Sequence, residues 1–329
     1  MRRVAILTIL LALSARAEQK NVRVLTGLTD FQLRQQMNVM RASLGVSCDF
    51  CHVHAQPALD DKPEKRRARE MIAMVMRINR ENFAGKPVVS CNTCHRGAVQ
   101  PVSVVALPQS VPPPPAPPAP APAVAAADLV KRYAAAIGDA SRFALPRILR
   151  GTQEGWTGKA IPFVAERSGQ RTHVVAETPN GHVEQWVTPD GGTTKIGDAL
   201  RPISADDLET ARAVAAALEV VPPRAIPADL RVTGKERIGD REVFVAAAPG
   251  QRFYFDAATG LLVRRLTLTP TAVGELPQQV DYDDWRDAGG TMFPRTIRAS
   301  FADPWASVTR RYDEVTLGAK IDEAVFMSR

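Results

Sequence analysis

The sequence predicts a chain in two parts: a small all-α module over residues 18–104, then an α+β domain with a large antiparallel sheet over 125–329. Three observations carry this reading. Two copies of C-x-x-C-H, Cys48-Asp49-Phe50-Cys51-His52 and Cys91-Asn92-Thr93-Cys94-His95, each follow a stretch of helical periodicity. A Pro/Ala-rich tract occupies 105–124. Beyond it, alternating apolar runs are broken by turn residues, the pattern of antiparallel strands.

At the N-terminus, Arg2 and Arg3 precede an apolar run, Val4 to Leu13, and Ala15-Arg16-Ala17 has the small-x-small form of a cleavage site. Residues 1–17 therefore read as a signal peptide, and the apolar run is too short to span a bilayer. The expectation is an exported, periplasmic protein with no transmembrane span in the mature chain.

Residues 28–45 read as a helix. Thr29 and Gln32 have capping-box spacing, Leu33, Met37, Met40 and Leu44 form an apolar stripe, and Gly45 is a fitting stop. The first C-x-x-C-H follows at once. Residues 63–83 read as a second helix that starts at Pro63, with Met71, Met74, Val75 and Ile78 as its buried face and Lys65, Arg66, Arg67 and Arg69 as a solvated flank. The second C-x-x-C-H follows that helix, so the device is repeated.

Cysteines at i and i+3 lie one helical turn apart, so both thiols can reach the two vinyl groups of one porphyrin, and the adjacent histidine can take the iron. This is the spacing of covalent c-type haem attachment. A zinc site built from both cysteine pairs would leave His52 and His95 unexplained. The reading is two covalently bound haem c, held by Cys48, Cys51 and His52 and by Cys91, Cys94 and His95. All four cysteines of the chain are consumed. Thioether sulfur suits haem iron, so one methionine from each preceding helix is the expected sixth ligand. Only 43 positions separate Cys48 from Cys91, so the haems are expected close together.

Several stretches are more specific. Asn21-Val22-Arg23-Val24-Leu25, Ser43-Leu44-Gly45-Val46 before Cys48, Met71-x-x-Met74-x-x-x-Ile78-Asn79 and Cys94-His95-Arg96-Gly97 resemble the cytochrome c subunit of photosynthetic reaction centres, over about residues 20–104. The resemblance implies Met37 and Met71 as the axial iron ligands opposite His52 and His95, with Met40, Met74 and Met76 competing. It implies redox protein partners, a reaction centre or a respiratory complex, and association with a membrane complex. The chain departs from the family in having two motifs where four are usual, in lacking a lipid-attachment cysteine, and in its long C-terminal extension. His54 reads as an exposed loop residue.

The tract at 105–124 includes Pro112 to Pro115 and should form an extended polyproline II spacer. Past it, a helix near 126–137 leads into strands with turns at Pro179-Asn180-Gly181, Asp190-Gly191-Gly192, Gly239-Asp240, Thr259-Gly260 and Gly289-Gly290. A helix at 204–218, capped by Ser204, interrupts them. Phe253-Tyr254-Phe255-Asp256-x-x-Thr259-Gly260-Leu261-Leu262-Val263-Arg264 resembles the LolA/LolB/RseB-like lipoprotein-carrier superfamily. His173 and His182 flank one hairpin and read as surface residues, and Asp281, Asp283 and Asp284 as a solvated strand edge.

Net charge is +3 over residues 1–17, +5 over 18–124 and −1 over 125–329. The excess lies where haem propionates would offset it, which favours charge compensation over a nucleic-acid surface. The functional expectation is electron relay through two His/Met haems, not catalysis. The alternatives are a dihaem peroxidase or sulfur-compound oxidase with one open haem, and a carrier of an apolar ligand with a redox module attached.

Overall fold

The computed structural model describes residues 21–101, 103–104, 107–108, 124–178 and 181–328. The expected signal peptide, nearly all of the Pro/Ala tract and the Pro179-Asn180 turn lie outside these residues. The chain divides into two compact units. Of the described residues, one unit comprises those from 21 to 108 with Leu268–Pro277, and the other those of 124–267 and 278–328.

In the first unit, α1 (Asp30–Leu44) begins with the Thr29–Gln32 capping box, in which each side chain bonds the other's backbone N–H. It ends at Gly45 in the left-handed region. Helix α2 (Pro63–Asn82) starts with proline at its first position, where no intrahelical donor is lost. The short α3 (Cys91–His95) is capped by Ser90 and Thr93, again reciprocally.

Both long helices bury a face turned slightly from the expected one. In α1 the buried residues are Gln36, Val39, Met40 and Ser43, while Leu33, Met37 and Leu44 pack partly buried beside them. In α2 they are Lys65, Ile72, Val75 and Asn79, with Met71, Met74 and Ile78 half-buried. Lys65 was expected in solvent. It is buried because loop carbonyls and a carboxylate converge on its ammonium, as set out below. The unit is not all-helical. Val273, from the segment Leu268–Pro277, is fully buried with Leu25, Val39, Met40, Ile72 and Cys91, and its carbonyl accepts the Cys91 N–H at 3.3 Å.

In the second unit, helix α4 (Ala126–Ile137) leads into strands β1 (Arg147–Glu154), β2 (Ala160–Ser168), β3 (Arg171–Thr178), β4 (Gly181–Val187), β5 (Gly192–Ile196) and β6 (Ala199–Pro202). Helix α5 (Ala205–Ala217), capped by Ser204, follows. Then come β7 (Arg231–Ile238), β8 (Arg241–Ala248), β9 (Gln251–Asp256), β10 (Leu262–Thr271) and β11 (Gly274–Asp287), whose residues within 268–277 belong to the first unit, and β12 (Met292–Phe301) and β13 (Val308–Leu317). They form one sheet in the order 6-5-4-3-2-1-13-12-11-10-9-8-7, two meanders joined where β1 pairs antiparallel with β13. Gly151, at the bulge in that pairing, runs so close to β13 that a Cβ there would lie 1.9 Å from the Arg311 carbonyl oxygen.

The core lies against one face of this sheet. Leu129, Tyr133 and Ile137 of α4 pack on inward residues such as Phe163, Phe253, Phe255 and Ile297. The Tyr133 hydroxyl donates to the Val221 carbonyl at 2.7 Å, and its ring lies 5.8 Å from that of Phe255. Alternation is visible along β3, where Val174 and Ala176 enter the core while Val175 and Glu177 do not. Asp281, Asp283 and Asp284 sit on β11, an interior strand and not an edge, and pair with Arg264, Arg241 and Arg286.

Candidate metal centre

The two C-x-x-C-H motifs are built differently at the backbone but alike at the histidine. Cys48–Phe50 forms one 3-10 turn after Ser47, and the His52 N–H reaches back to the Cys48 carbonyl at 3.0 Å. In α3 all five residues are α-helical. No disulfide joins the four cysteines. Burial pushes the Cys51 and Cys91 thiols up, with Glu64 adding to the effect at Cys51.

Each histidine is oriented by its own loop. His52 Nδ1 donates to the Pro57 carbonyl at 3.1 Å, and His95 Nδ1 donates to the Ala98 carbonyl at 3.0 Å. A carbonyl can only accept, so both rings carry a proton on Nδ1, and in the neutral tautomer this fixes, Nε2 holds the lone pair. Burial pushes His52 down, the Pro57 carbonyl opposes this, and Lys65, Arg69 and Lys62 reinforce it. A neutral imidazole is the form that binds metal. Leu59, Val88 and Val99, close in sequence to the motifs, are exposed apolar side chains. Thiol pairs one turn apart, an oriented Nε2 and nearby apolar surface are what a covalently held porphyrin requires.

The two motifs are tied together at their backbones. The Gly97 N–H, two residues past His95, donates to the Ser43 carbonyl at 2.8 Å. A Cβ on Gly45, three residues before Cys48, would stand 2.2 Å from the Gly97 carbonyl oxygen. The exit from the second motif therefore lies against the approach to the first. Asn79 of α2 clamps the chain ahead of the second motif, donating to the Val89 carbonyl at 2.7 Å and accepting the Val89 N–H at 2.9 Å.

Met37 and Met71 sit half-buried on α1 and α2, the helices that precede the motifs, and Met40 is more buried than either. His54 is exposed, 3.4 Å from Asp49.

Residues 12–121 match the model of the family described as photosynthetic reaction centre cytochrome C subunit. The N-terminal third of the chain is similar to that family. Cytochrome c-554 of Chloroflexus aurantiacus is 36% identical over 84 residues, 24% of this chain and 20% of the relative. The chain thus spans about a fifth of the length of the curated relative it matches. These likenesses imply covalently bound haem c. Two solved structures are similar to part of the chain. A DUF1329 family protein from Desulfovibrio piger has a TM-score of 0.38 at 10% identity, covering 61% of this chain and 95% of that one. A LolA superfamily protein from Nitrosomonas europaea has 0.37 at 11%, covering 63% and 99%.

Sequence reasoning missed Lys65, Asn79 and the Gly45–Gly97 approach. In the sheet unit, His173 proves buried: its Nδ1 lies 2.9 Å from Glu166 and its Nε2 3.3 Å from Glu184, and the ring stacks on Trp186 at 5.0 Å. His182 is half-exposed and meets the same Glu184 at 3.4 Å. Among the described residues no cluster of three or more His, Cys, Asp or Glu could hold a metal ion. No described helix is long and apolar enough to cross a membrane.

Proposed function

We propose that this chain is an exported c-type cytochrome that carries two haems and relays electrons between protein partners. The observation that supports it best is the shared histidine geometry: in both motifs Nδ1 is committed to a backbone carbonyl, which leaves Nε2 as the ring nitrogen available to a metal. Cys48 and Cys51, and Cys91 and Cys94, would form the thioethers, and His52 with Met37 and His95 with Met71 would be the residues that hold the two irons. Haem bound in this way supplies one-electron transfer without a change of covalent structure. The protein's own part is to hold the imidazole tautomer, to exclude water from the methionine side, and to keep the motifs close through Gly45, Ser43 and Gly97. The remaining architecture belongs to the same reading: an export segment over 1–17, a module over 18–104, a spacer over 105–124 and a sheet domain over 125–329. The N-terminal resemblance supports redox protein partners; a reaction centre or a respiratory complex is the reading for their identity.

The test is spectroscopic. Purified, haem-loaded full-length protein should be low-spin in both oxidation states and should not bind carbon monoxide when reduced. A high-spin haem that binds carbon monoxide would leave an open iron position and favour the peroxidase or oxidase reading.

A further inference from the structure

We propose that Lys65 raises the reduction potential of the first haem relative to the second, by sharing the carbonyl that orients His52. This rests on the two-haem reading above. Lys65 is 7% exposed, on the first turn of α2. An ammonium is rarely buried unless its protons are taken up. Its Nζ donates to the Pro57 and Leu59 carbonyls, both at 2.7 Å, and lies 3.0 Å from Asp60.

The Pro57 carbonyl is the same one that receives the His52 Nδ1–H. An oxygen polarised by a cation offers less electron density to a second donor. The hydrogen bond from the His52 Nδ1–H is weakened, the imidazole is less anionic in character, and it donates less to a metal on Nε2. Less donation favours the reduced ion, as does a nearby positive charge. Asp60 does not cancel that charge, because Arg69 and Arg23 also bind it, each at 2.9 Å. At the second motif the Ala98 carbonyl accepts from His95, whereas Lys65 gives its protons to the Pro57 and Leu59 carbonyls. Arg96 follows His95, but it is exposed and screened by solvent.

The experiment is a potentiometric titration of the haem-loaded full chain, wild type beside Lys65→Met, Lys65→Gln and Lys65→Arg, with haem counted in each. The expected wild-type curve has two components. Lys65→Met and Lys65→Gln should lower one of them by at least about tenfold in the oxidised-to-reduced ratio at fixed potential, about 59 mV for one electron. The other component should stay in place, and Lys65→Arg should shift least. Gln keeps a donor without charge, so it reports even where Met fails to fold. Equal movement of both components, movement of neither, or a shift in Arg as large as in Met would overturn the proposal. A wild type with fewer than two haems would instead sink the reading on which it rests.

Discussion

His52 and His95 are fixed by one device, a ring N–H returned to a carbonyl three or five residues on. The two C-x-x-C-H motifs stood out in the sequence because cysteine and histidine recur at the spacing covalent haem attachment needs. Lys65 did not, since it belongs to a run of basic residues that reads as a wet flank. A signal was present nonetheless: Lys65, Ile72 and Asn79 recur every seven residues and share one helix face. The methionines are a matter of single residues too. Replacing Met37 or Met71 with alanine should open one iron position, turning that haem high-spin and lowering its potential. Met40→Ala should leave both haems low-spin and cost about 2–5 kcal/mol in packing, read from the unfolding midpoint. An open site in Met74→Ala but not in Met71→Ala would place the ligand one turn further along α2.

Caps and stops placed α1, α2, α4 and α5 within a residue or two of their expected bounds, because capping boxes, proline at the first turn and terminal glycine act locally. The rotation of the buried faces was not legible, since it depends on what packs against each helix. Nor was the place of Leu268–Pro277 beside α3, a contact between residues distant in sequence. The Gly45–Gly97 approach is of the same kind. Gly45→Ala must place a Cβ against a carbonyl oxygen and strain a backbone at φ +68°, a cost on the order of 2–4 kcal/mol. Gly85→Ala, at φ +78° with nothing within 4 Å, should cost only the backbone strain, about 1–2 kcal/mol. Unfolding should be followed by haem absorbance, because the tryptophans, at 156, 186, 285 and 305, all lie outside this unit. Equal losses in the two variants would mean that the close approach does not hold the motifs together.

Across the whole molecule, the order of elements and the antiparallel sheet could be read from turn chemistry, and Gly239, Gly260, Gly289 and Gly290 do adopt positive φ at the expected turns. The closure of two meanders through β1 and β13 could not, because nothing local links Arg147 to Leu317. Two covalent haems in the N-terminal unit are what one measurement tests directly. Mature protein made by a host that attaches c-type haem is denatured, washed with acid acetone and weighed intact. The prediction is the apo mass plus two haems, with the haem stain retained. Retention of one haem would contradict the repeated device, and retention of none would contradict the cytochrome reading itself.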